Sequence, residues 1–241
     1  MRTSSDAPQP MRALALQAYP GMSASIALPD FIAVWEELEE FHMARRYSAC
    51  LAKVSGSSPP ASFLDELVDW ALQAPDEIFA PNAADDVYSS VVAQLGPFVF
   101  TVHRKAVMLE VLRVLAGHES TWNWNQGVDR DKKGPKTSHN EEAGAFQCSA
   151  DSMIWDRSLK DFVQTTLGAT DDATFIAGSK SNHKFAIEYV ARLLRITVAA
   201  NGPILNHTIH HELKRTAVAE FRGHLEAIGD FPAPARGLRY A

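Results

Sequence analysis

One segment constrains this chain more than any other: it opens MLEVLRVLAGHESTWNWNQGVD at Met108, passes through the polar run RDKKGPKTSHNEE and closes on AGAFQ at Gln147. Leu109, Leu112, Val114 and Leu115 recur at helical spacing. The stripe ends on a single acid, Glu119, with Gly117 two residues before it and Trp122 and Trp124 just behind. A carboxyl at the C-terminal end of an apolar helix sits at the negative pole of the helix dipole and is partly desolvated. Both effects disfavour its ionised form. That is the condition a general acid needs near neutrality; the same position also suits a Glu that merely faces water.

The rest of the chain reads as helices separated by breakers. At 241 residues it can bury roughly 70–75% of its unfolded surface, so no disulfide or metal staple is required. Cys50 and Cys148 lack CxxC spacing and read as two buried thiols. Residues 1–29, rich in Pro, Ser and Ala, read as a flexible leader. That leader has the features of neither a signal peptide nor a membrane span, so no stable membrane insertion is expected. A long amphipathic helix is predicted over 30–54 and a second over 61–72 with Ser62 as N-cap. Further helices are expected over 84–95, 101–119, 152–167, 182–197 and 207–228, with a polar loop after Gly168. The one candidate for strand is a short hairpin inside 140–149. The expected organisation is a helical layer, residues 30–100, packed on a core formed by residues 101–241.

Four pieces of the sequence, in order, resemble the goose-type lysozymes and bacterial lytic transglycosylases. Glu119-Ser120 ends an apolar helix, as the family's Glu-Ser does, and Gly144-Ala145-Phe146-Gln147 resembles its Gly-Leu-Met-Gln turn. Asn182 precedes Tyr189 by seven, with Ala186 where the family has Gly, and Ala199-Ala200-Asn201-Gly202-Pro203 resembles its Ala-Tyr-Asn-x-Gly segment without the tyrosine. The resemblance covers roughly 108–203, under half of the chain. It implies a mainly α, lysozyme-like fold (α+β, with a small β-hairpin), extended here by N-terminal helices. It further implies an enzyme that cleaves the β-1,4 bond of peptidoglycan glycan strands.

In such an enzyme Glu119 protonates the leaving oxygen as an oxocarbenium-like centre develops. An inverting muramidase also needs a carboxylate to activate water on the opposite face. Asp129 matches the family's separation from Glu119, and Glu142, just before the turn, is the alternative; Asp131 and Glu141 lie in what reads as exposed charged loop. A lytic transglycosylase needs no such base, because the muramic acid's own hydroxyl attacks and leaves a 1,6-anhydro end. Missing the fourth motif's tyrosine and carrying Asp129, this chain reads towards hydrolysis. Ser120, Trp122, Gln147 and Tyr189 are the substrate-binding candidates, and core packing or a buried polar tie is the competing role for the last three. A non-catalytic glycan-binding module of the same fold, and action on chitin or chitosan, are the other readings.

No cofactor or metal is expected. The HHELKR run at His210 lacks the second histidine of a zinc-protease motif, since Arg215 stands there. His207, His210 and His211 read as a solvated helix face, and the calcium-loop-like start at Asp129 places Lys133 at a ligand position. A net charge of −6 argues against a dedicated nucleic-acid binder. The implied setting is synthesis in the cytoplasm and action in the periplasm or cell wall after release. An immunity or inhibitor protein is the further partner such an enzyme would have.

Overall fold

The computed structural model describes residues 45–127 and 138–228. The leader, the predicted helix as far as residue 44, Asp129, Asp131 and residues 229–241 lie outside them. Contacts divide the chain into residues 1–46 and 47–241, and the architecture below is that of the second unit.

Described residues are mainly helical and contain no strand. Helix α1 (Ala61–Gln73) follows Pro59–Pro60 and buries Phe63, Leu64, Leu67, Val68, Trp70 and Ala71 along one face. Its N-cap is Pro60, with no side-chain cap bond, so Ser62 lies inside the helix instead of capping it. Helix α2 (Val87–Leu95) starts where Asp86 Oδ1 accepts the N–H groups of Tyr88 and Ser89. The helix predicted from residue 84 starts three residues later, because the Asp86 side chain caps it at that point.

Helix α3 (Thr101–Ser120) is the central helix of this unit. Every residue from Arg104 to Gly117 is buried, so the apolar stripe of the sequence is in fact burial on all sides. The charges on this helix are therefore neutralised internally. Arg113 donates to both carboxylate oxygens of Glu110, through Nε at 2.7 Å and Nη2 at 2.8 Å, and neither side chain is exposed. Nη1 of Arg113 donates to Ala52 O, and the Lys214 N–H donates to Glu110 Oε1. Lys105 Nζ reaches Ala71 O and the Asp76 carboxylate.

Around this helix pack α4 (Arg157–Leu167), α5 (Asp172–Ser181), α6 (His183–Ile196), the single turn α7 (Gly202–Leu205) and α8 (Arg215–Ile228). Asp156, Asp171, Asn182 and Asn201 cap the first four of these by accepting backbone N–H groups, and Gly168 ends α4 in the left-handed region. One hydrophobic cluster joins side chains from all eight helices. Fully burying a single Leu or Phe of such a cluster contributes ~1.5–3 kcal/mol. A second buried ion pair, Asp86 with Arg195, ties the start of α2 to the end of α6.

Several expected elements differ. Residues 45–54 were assigned to a long helix, but the chain there makes one 3-10 turn, Ala49–Leu51, and a Val54–Ser57 bridge. Tertiary bonds win: Glu220 on α8 accepts the N–H groups of Ser48 and Cys50, which removes them from any helix ladder. The helix predicted over 152–167 is split at Asp156 into a 3-10 turn, Ala150–Trp155, and α4. The supposed polar loop contains α5, and the last helix begins at Arg215 instead of His207. Where a hairpin was expected, the antiparallel pairing is a single bridge between Ala143 and Cys148. No helix among the described residues is long and apolar enough to cross a membrane.

Candidate functional site around the end of the central helix

Helix α3 ends on Glu119 and Ser120, both half-buried, and the chain then turns sharply. Thr121 and Trp122 take consecutive positive φ values of 56° and 58°. A β-branched and a bulky residue in the left-handed region cost about 1–2 kcal/mol each, and strain of this kind gathers at functional sites. The turn is held by the Thr121 N–H donating to Gly117 O and the Trp122 N–H donating to Ala116 O.

Gly117 is required here. A Cβ on it would come within 2.5 Å of the Trp122 ring and 2.9 Å of Val54 Cβ. Without one, the indole lies on the helix and its Nε1 donates to Arg113 O at 2.8 Å. Trp122 is 4% exposed, so the ring expected to stack on sugar is a core residue. Trp124, half-buried, stacks on His183 with centroids 4.0 Å apart and contacts Phe63 and Phe146.

Ser120 joins the helix end to the second sequence motif. Its hydroxyl donates to Ala145 O at 2.7 Å and accepts from the Asn123 N–H. The motif is a tight turn, Gly144 to Gln147, closed by the Ala143 N–H donating to Cys148 O. Gly144 has φ 73°, and a Cβ there would sit 2.4 Å from Ser179 O on α5, so only glycine fits. Gln147, at φ 48°, folds its amide back so that Nε2 donates to Gly144 O at 2.9 Å. The turn also leans on α6: the space among Ala145, Phe146, Ala186 and Tyr189 is only about 10 Å³.

Tyr189 is buried, and its hydroxyl lies 2.6 Å from Ser152 Oγ. Since Ser152 Oγ donates to Ser149 O, the phenol is the donor in that bond. Burial pushes the phenol well above its usual range. Tyr189 is thus a tie between α6 and the Ala150–Trp155 turn, not an open contact for a sugar.

Cys148 lies within the influence of several acidic groups. Its thiol is pushed up to about 12, first by burial and then by the charges of Glu119, Glu142 and Asp151. One half-buried side chain therefore lies in the fields of the candidate acid, one of its two expected partners and a third carboxylate that the sequence reading passed over. Asp151 accepts from Ser149 Oγ at 2.5 Å. Ser120, Gln147, Glu142 and Tyr189 all belong to this neighbourhood, while Asp129 is outside the described residues. The fourth motif contributes a cap: Asn201 Oδ1 accepts the Ile204 N–H. Sequence reasoning also missed Trp155, which is 45% exposed at the end of the 3-10 turn carrying Asp151 and Ser152. Placing that turn inside a helix hid its outward face.

Among the described residues no group of three or more metal-ligating side chains comes together. His207 and His210 stack at 4.2 Å, and His210 is held below the usual histidine range by burial and by His207. Cys50 and Cys148 are both free thiols. No protein-family model, curated protein or solved structure matches this chain.

Proposed function

We propose that this protein cleaves the glycan strands of peptidoglycan on a lysozyme-like helical scaffold, with Glu119 as the general acid. The observation that carries this reading is the assembly at the end of α3. Glu119 stands on the last turn of a helix buried from Arg104 to Gly117, its neighbour Ser120 is bonded to the Ala145 carbonyl, and Cys148 feels Glu119, Glu142 and Asp151 together. Three of the four pieces that resemble the family thus meet in space: helix end, glycine turn and the Asn182–Tyr189 helix.

On this reading Glu119 gives its proton to the glycosidic oxygen, and a second carboxylate, ~6.5–9.5 Å away across the sugar, activates water. Asp129 holds that role by resemblance; Glu142 is the candidate supported by its shared field at Cys148. Trp155 supplies an open aromatic face for a sugar ring. The product is then a muropeptide with an ordinary reducing end. The enzyme acts outside the bacterial membrane, on the cell wall.

The test is clearing of purified peptidoglycan in heavy-oxygen water, with mass analysis of the soluble fragments. Hydrolysis places one solvent oxygen at each new reducing end and needs Asp129 or Glu142, so Asp129→Asn or Glu142→Gln abolishes most of it. Fragments ending in 1,6-anhydromuramic acid without solvent oxygen identify a lytic transglycosylase instead. Binding to peptidoglycan with no soluble fragment from wild-type protein identifies a glycan-binding module and ends the catalytic proposal.

A further inference from the structure

A second feature lies at the other end of the central helix. Residues Arg215, Val218, Ala219 and Arg222 of α8 are spaced i, i+3, i+4 and i+7, which puts them on one helix face. This face forms one wall of a pocket of about 280 Å³ whose other wall is Leu95, Gly96 and Pro97, with His103 from the first turn of α3 between them. His103 and Glu119 are 16 residues apart on one helix, or ~24 Å at 1.5 Å per residue. The pocket therefore lies at the opposite end of the helix from Glu119.

Its lining is part apolar and part cationic. Leu95, Pro97 and Val218 give apolar walls, while Arg215 and Arg222 bring two guanidiniums to the same space. Arg215 is fixed by its Nε donating to Gln94 O at 2.7 Å. The acid nearest in sequence on this face is Glu226, 3.4 Å from Arg222 Nε in a partly exposed i,i+4 pair. Such a solvent-exposed pair contributes little and yields readily to a better-placed carboxylate. We infer that this pocket binds a small carboxylate carried on a short apolar group, with the guanidiniums of Arg215 and Arg222 gripping the anion and Leu95, Pro97 and Val218 covering the apolar part. Guanidinium forks match carboxylates in plane and spacing, and the volume suits a ligand smaller than a drug-sized molecule. Burial and Arg222 together hold the His103 imidazole below its usual range, so near neutrality it meets the ligand as a neutral ring.

Calorimetric titration of the full chain with sodium hexanoate, with hexanol and with inorganic phosphate tests this. Hexanoate is expected to bind, and both others to bind at least tenfold more weakly. Arg222→Gln and Arg215→Gln should each weaken hexanoate about tenfold or more, the scale of one lost charge-assisted hydrogen bond. Arg157→Gln, on α4, should leave it unchanged. Arg215 is exposed, so its variant keeps the test available if Arg222→Gln melts early. Absence of hexanoate binding, equal binding of hexanol or phosphate, or binding that both arginine variants leave untouched would each overturn the assignment.

Discussion

Two glutamates on one helix, Glu110 and Glu119, live in opposite worlds. Glu110 is fully buried, and burial raises its carboxyl while Arg113 and Lys214 pull it back down. Glu119, nine residues on, is half-buried where the helix gives way to a strained turn, and its charge is felt at Cys148 together with those of Glu142 and Asp151. The first arrangement cancels a charge inside the core; the second puts a carboxyl on the half-buried last turn of the helix, beside the strained reversal. Position along a helix, not residue type, separates the structural carboxylate from the candidate catalytic one.

The comparison breaks most directly at Glu119. Glu119→Gln keeps the shape of the side chain and removes its proton, so peptidoglycan clearing is expected to fall ~10²–10⁴-fold while the melting curve stays put. A correctly folded variant with wild-type activity would remove Glu119 from the mechanism. Its counterpart is Arg113→Met, which strands a buried carboxylate at Glu110 and is expected to cost about 3–5 kcal/mol in urea unfolding. Replacing both Glu110 and Arg113 by Met should recover most of that loss, since no uncompensated charge remains. A double variant as unstable as the single one would show that the pair does more than neutralise itself.

Smaller effects sharpen the picture. Trp155→Ala should weaken binding to insoluble peptidoglycan severalfold, in line with ~0.5–1.5 kcal/mol for an aromatic contact. Because the ring is 45% exposed, stability should change little; a large drop in melting temperature would reveal a packing role. The smallest effect concerns pH. Burial lowers the folded-state value of His210 below its ordinary 6.5, so its contribution is complete above that value and is lost as pH falls from there towards the folded-state value. Unfolding free energy measured between pH 7 and pH 5 should decline less steeply in His210→Asn than in wild type.

Much of the helical architecture was legible because its punctuation is local. Pro59–Pro60, Gly96–Pro97, Gly168 and Asn182 mark boundaries that the structure keeps, and α3 ends within one residue of its predicted limit. What failed was governed by distant partners. Residues 48–51 leave the helical pattern because Glu220, about 170 positions away, takes their N–H groups. Helix α5 escaped notice because DATFIAGSKS buries only Phe175, Gly178 and Ser179, too few for an apolar stripe. At the candidate site, Glu119, Ser120 and the glycine turn were readable as motifs. The burial of Trp122 was not, since it depends on the missing Cβ of Gly117 and on a chain reversal that no periodicity records.

Gly144 has a consequence for how this molecule can vary. Since its Cα faces Ser179 O with no room for a methyl, the gap between the turn and α5 is a backbone-to-backbone gauge. Ser120, bonded to the Ala145 carbonyl and not to any side chain, reads the same gauge from the other side. The neighbourhood of Glu119 is thereby metered in part by peptide groups, the Ser179 and Ala145 carbonyls, as well as by the side chains packed around them.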